Sequence, residues 1–140
     1  MQQQISLITL GVADLARAKR FYTEGFGWAP VFEAADIAFF QMNGLMLGLW
    51  DRAALAEDSA RTGAAGSGSV ALAHNVGNRE AVDAAIDQLV AAGASLLRAP
   101  DAPLHGGYRG YVADPDGHVW EIAWNPSWRV DGDGRVTFGV

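Results

Sequence analysis

The segment Asp114-Pro115-Asp116-Gly117-His118-Val119-Trp120-Glu121-Ile122-Ala123-Trp124 decides how this chain is read. Its first half is a turn. Pro115 presets the φ that a type I turn needs, Asp116 can bond locally, and Gly117 accepts a positive φ. A three-residue loop closed by a glycine bulge joins two antiparallel strands. The second half alternates: Trp120, Ile122 and Trp124 share one face, and Val119, Glu121 and Ala123 share the other. One face is bulky and apolar. The other carries a lone carboxylate between small side chains, as expected of a strand that covers a core and lines a space.

Working outward, the same pattern occurs twice. Ile5 to Val12 alternates as a strand, and Asp14 is positioned to cap a helix that presents Leu15, Ala18, Phe21 and Tyr22 at helical spacing. Gly25 and Gly27 supply its stop. Strands are expected over 28–32 and 36–42, with Asn43-Gly44 turning the chain into a return strand over 45–50. Residues 52–60 read as a short surface helix and Gly63 to Gly68 as a flexible connector. A strand over 69–76 then opens the second unit, Asn78 caps a helix carrying Val82, Ala85, Ile86, Leu89 and Val90, and Gly93 ends it. Strands follow over 94–98 and 107–113, with 101–106 as a loop, and lead back to the opening segment. The fold expected is α+β: two βαβββ modules forming half-barrel sheets with helices on the outer face. Module one covers 5–50, the linker 51–68, module two 69–125 and a tail or small hairpin 126–140, all within one domain.

Composition bounds the partners. Half of the 140 residues are hydrophobic and 19% charged, which suits a folded domain. Cysteine is absent, so disulfides and thiolate metal sites are excluded. The net charge of -6 argues against nucleic acid and anionic membrane and permits a cationic ligand. No run approaches the roughly 18 apolar residues of a membrane span, and Met1-Gln2-Gln3-Gln4 lacks the basic and apolar regions of a leader. A cytoplasmic location is expected.

The stretches LGVADLARAKRFYTEGFGW (10–28), NGLMLGLW (43–50), GSVALAHNV (68–76) and GYVADPDGHVWEIAW (110–124) together resemble the glyoxalase, bleomycin-resistance and extradiol-dioxygenase superfamily, the vicinal oxygen chelate fold. The resemblance covers about residues 5 to 125. It implies half-barrels, a homodimer, and a divalent metal held by His, Glu or Gln side chains. Those ligand positions fall here on Leu7, Gly48, Ser69 and Glu121, so one ligand of the expected type remains. One carboxylate does not hold a divalent ion, since catalytic zinc sites use three protein ligands. No metal or other cofactor is therefore expected.

Strand parity supplies a lining for the expected cavity. Ile37, Phe39 and Gln41 fall opposite Trp50, Gly48 and Met46; Arg109 and Tyr111 fall opposite Ala123 and Glu121. Leu7, Thr9, Ser69, Ala71 and Ala73 complete it, with glycine and alanine leaving room. The candidate ligand-binding residues are Phe39, Gln41, Trp50, Ser69, Arg109, Tyr111 and Glu121, which make an aromatic-walled pocket suited to a small molecule. Glu121 has three readings: an anchor for a ligand's cation beside aromatic rings, a catalytic acid or base, or a group with no ligand role, paired with Arg109 or facing solvent at a pocket mouth. His74 falls on the helix side, His118 beside the turn, and His105 in a glycine-bordered loop. The first function read from these residues is a metal-free protein that binds a small, apolar or cationic molecule, in the manner of antibiotic-binding members. The alternatives are a metal-dependent lyase or dioxygenase with a displaced metal site, using Glu121 with His74 or His105, and a metal-free isomerase or lyase with Glu121 as base.

Overall fold

A computed structural model of the protein describes residue 3 and residues 5–60, 70–104 and 106–138. Ser69, His105 and the glycine-rich connector lie outside the described residues. The chain divides into two compact units, Met1–Gly66 and Ser67–Val140.

In the first unit, β1 (Leu7–Val12), α1 (Leu15–Glu24), β2 (Pro30–Glu33), β3 (Ile37–Gln41), β4 (Met46–Asp51) and α2 (Arg52–Asp58) follow in order. Asp14 caps α1 by accepting from the Arg17 amide, and the Gly25 N–H closes the other end on the Phe21 carbonyl. The sheet order is β1-β4-β3-β2, with β1 and β4 parallel and the other pairs antiparallel. Val12, Phe21, Tyr22, Phe40 and Leu49 are fully buried between α1 and the sheet. Each side chain of this size contributes roughly 1.5–3 kcal/mol through burial. Trp28, expected to begin a strand, instead stacks on Phe26 with ring centroids 4.3 Å apart. Its amide donates to the Tyr22 carbonyl, and the strand therefore begins at Pro30.

The second unit repeats the order: β5 (Ala71–Asn75), α3 (Arg79–Ala91), β6 (Ser95–Asp101), β7 (Tyr108–Ala113) and β8 (Val119–Trp124), then the hairpin β9 (Trp128–Val130) and β10 (Val136–Phe138). Its sheet order is β5-β8-β7-β6, the same sequence of first, fourth, third and second strand. The chain is thus α+β, with two βαβββ modules that each form a four-stranded mixed sheet. Asn78 caps α3, which buries Val82, Ile86 and Leu89 against the sheet; Val90, expected on that stripe, is exposed. Val70, within the strand expected over 69–76, precedes β5 and is exposed as well.

The turn before β8 forms as expected, with the Asp114 carboxylate at its centre. The Gly117 N–H donates to the Asp114 carbonyl, Gly117 takes φ +87°, and the Asp114 N–H donates to His118. The Asp114 carboxylate bonds the loop, accepting from the Asp116 and His118 amides at 2.9 and 2.8 Å. The tail repeats the device. In Asp131-Gly132-Asp133-Gly134-Arg135, the Asp131 carboxylate accepts from the Asp133 and Arg135 amides, each at 2.9 Å. No helix among the described residues is long and apolar enough to cross a membrane.

Candidate functional site

Each sheet has one face against its helix and one face turned away from it. The register on the away faces matches the sequence pattern. In module one, Ile37 pairs with Trp50, Phe39 with Gly48 and Gln41 with Met46. In module two, Tyr111 pairs with Glu121 and Arg109 with Ala123, while Ala73 flanks Glu121 from β5.

The two faces differ in what fills them. On module one, the space beside Gly48 is not open: a Cβ built there would stand 3.1 Å from the Phe39 ring and 3.4 Å from the Leu7 side chain. Leu55 of α2 covers Gly11 in the same way, at 3.3 Å from a would-be Cβ. The expectation that glycine leaves room on this face is therefore corrected, because neighbouring side chains fold over the gap. Phe32 of β2 adds its ring to Phe39 at 5.7 Å. Trp50 donates its indole N–H to Asp36 at 3.0 Å. Gln41 spends its amide on its own hairpin, donating to the Met42 carbonyl at 2.8 Å. It also borders a small groove of about 340 Å³ with Ile5, Ser6 and Met46.

On module two, small side chains leave Glu121 half-buried, between Ala73 and Tyr111 on the neighbouring strands. The two guanidiniums on this part of the sheet converge elsewhere. Arg98 pairs with Asp101 at 2.7 Å, and Arg109 also forms an ion pair with Asp101 and donates to its carbonyl at 3.5 Å. The Arg109 guanidinium stands 5.9 Å above the Tyr111 ring. The reading of Glu121 as the structural partner of Arg109 is corrected: among the described residues, Glu121 makes no ion pair or hydrogen bond through its carboxylate. Asp101 was not legible as that partner, since residues 101–106 read as a loop. In the structure β6 is an edge strand that tolerates Pro100 and carries Asp101 alongside Arg109.

The histidines stand apart from this carboxylate. His74 pairs with Ile122, which puts it on the helix side of β5, and burial holds its imidazole below the ordinary pKa. It therefore cannot share an ion with Glu121, which lies on the other face. His118 closes the turn. Among the described residues no three His, Cys, Asp or Glu side chains converge as metal ligands. With Leu7 apolar and Gly48 roofed by Phe39, these residues do not fit the divalent ion implied by the resemblance.

Duplicated βαβββ units with matching strand order define a protein assembled by repetition of one module. The profile of the glyoxalase/bleomycin resistance protein/dioxygenase superfamily matches residues 4–122, and the chain belongs to that superfamily. Among solved structures it is similar to a glyoxalase-related enzyme from Fulvimarina pelagi, with 55% identity over 99% of this chain and 100% of that one, and a TM-score of 0.95. A superfamily enzyme from Burkholderia phytofirmans shares 23% identity over 85% of this chain and 96% of that one, with a TM-score of 0.76. A lactoylglutathione lyase from Agrobacterium tumefaciens shares 23% identity over 89% of this chain and 95% of its own, with a TM-score of 0.68. At that identity the last two show the fold alone. No curated protein matches the chain.

Proposed function

We propose that this protein binds a small molecule on the away face of module two, through Glu121 and without a divalent metal. One observation carries the reading: Glu121 is a half-buried carboxylate left uncompensated because Asp101 engages both nearby arginines. A carboxylate in that position attracts a ligand's cation or hydrogen-bond donor, and Tyr111 offers an aromatic edge beside it. Exposed Val31 and Phe32 on β2, with Leu96 and Leu97 on β6, leave apolar edge strands that support a homodimer.

Native mass spectrometry of the untreated protein tests ligand and assembly together. The expected result is a dimer retaining a small organic molecule, with the retained mass lost in Glu121→Gln. Stoichiometric zinc, iron, nickel or manganese in the same sample would overturn the metal-free reading.

The 55% identity to a glyoxalase-related enzyme favours a catalytic version as a second reading. There Glu121 is the base of a metal-free isomerase or lyase, moving a proton from a bound carbon acid. Activity that persists in chelator and vanishes in Glu121→Gln supports it; activity indifferent to that substitution removes it.

A further inference from the structure

A second concave site lies within the second unit, where the ends of β5 and β8 meet the terminal hairpin. Its volume is about 610 Å³, within the range of small-molecule sites. Asn75, Trp124, Asn125, Trp128, Arg129 and Thr137 are among its lining residues. The elements hold it in shape. Val76 continues the β5 ladder by donating to the Ala123 carbonyl at 2.8 Å, and Trp128 closes a turn by donating to the Asn125 carbonyl at 3.1 Å. Arg129 and Thr137 are direct partners across β9 and β10. Trp124 is steadied from one side by the Arg79 guanidinium, 5.6 Å from its ring.

The lining selects a chemistry. It contains two indoles, two carboxamides, a hydroxyl and one formal charge, that of Arg129. Among the described residues no acidic side chain lines the groove, and Arg129 has no ion pair. In a protein of net charge -6 an unpaired arginine beside two tryptophans is a marked local departure. Arginine binds carboxylates through two parallel hydrogen bonds, and indole faces take flat aromatic rings. We infer that this groove is a binding site for an aromatic carboxylate, with the carboxylate on Arg129 and the ring against Trp124 and Trp128. It is separate from the Glu121 proposal, which calls for a cationic or proton-donating ligand on another set of residues.

The probe is 2-naphthoate, with uncharged 2-naphthamide as its counterpart, titrated into the full-length, isotopically labelled protein and followed by amide and indole resonances. The expected result is saturable shifts at Asn75, Gly77, Asn125 and the Trp128 indole, with naphthamide weaker by roughly tenfold or more. Arg129→Gln brings naphthoate down to the naphthamide level while the remaining resonances stay in place, which reports an intact fold. Glu121→Gln leaves naphthoate binding as it was, so failure of one site is read separately from failure of the other. No saturable shift, shifts centred on Tyr111 and Glu121, or naphthoate binding unchanged in Arg129→Gln would each overturn the inference.

Discussion

Phe39 with Gly48 and Tyr111 with Glu121 occupy the same cross-strand position in the two modules, three pairs beyond the residues that close each hairpin. In module one the aromatic ring lies over the glycine and fills the face. In module two the aromatic residue stands opposite a carboxylate, with alanines at 73 and 123 beside it. The backbone frame is shared, so the difference comes from side chains alone. Repetition fixes where a group is presented, and one residue decides whether that place holds packing or a carboxylate.

The comparison is sharpest at the turns. Module two hangs its last strand from the buried Asp114, whose carboxylate satisfies two backbone amides. Asp114→Ala leaves those donors unsatisfied and should lower the unfolding free energy by about 3 kcal/mol in urea titrations. The matching change in the exposed terminal hairpin, Asp131→Ala, should cost less than about 1 kcal/mol, since water replaces the lost acceptor. Equal losses would show that burial is not what separates the two turns.

Exchanging the paired residues is the next largest effect. Gly48→Glu forces a side chain into the space taken by the Phe39 ring and should cost about 2 kcal/mol. Adding Phe39→Ala should recover part of that loss, a coupling that a double-mutant cycle measures. Glu121→Gly removes an unpaired group and should change stability by less than about 1 kcal/mol, through backbone freedom. If Gly48→Glu is tolerated as well as its converse, the two faces are not filled differently.

The smallest effect is a pH dependence found in module two. His74 is held below its usual value of 6.5 by burial. The unfolded chain therefore binds more protons at this site once the pH is below 6.5, so ν_U exceeds ν_N there. Stability is undiminished above that value and falls as the pH drops from 6.5 toward the folded pKa. Thermal midpoints at pH 7.5 and 5.5 should show the fall, and His74→Gln should reduce it.

Much of this was legible because alternation and turn chemistry are local. The period-two pattern of Val119 to Trp124, together with a fixed three-residue loop, sets Tyr111 opposite Glu121 with no knowledge of the rest. Asn43-Gly44 does the same for Phe39 and Gly48. Caps at Asp14 and Asn78 were visible for a similar reason, since each carboxylate or amide serves an amide three residues on. What escaped the sequence depends on which side chain leans where. The Phe39 ring could not be seen to close over Gly48, because parity gives a face and not a rotamer. Asp101 was hidden because β6 runs past residue 98, where the strand was expected to end, and only an edge strand accepts Pro100. The hairpin groove was missed because its walls come from segments far apart in sequence: 75–77, 124–130 and residue 137.

The ring over Gly48 also bears on how a lineage could move between activities. A donor at that position would have no vacancy to enter until Phe39 shrank, and Leu7 would still be inert beside it. Building a chelating set on this sequence would therefore take several replacements.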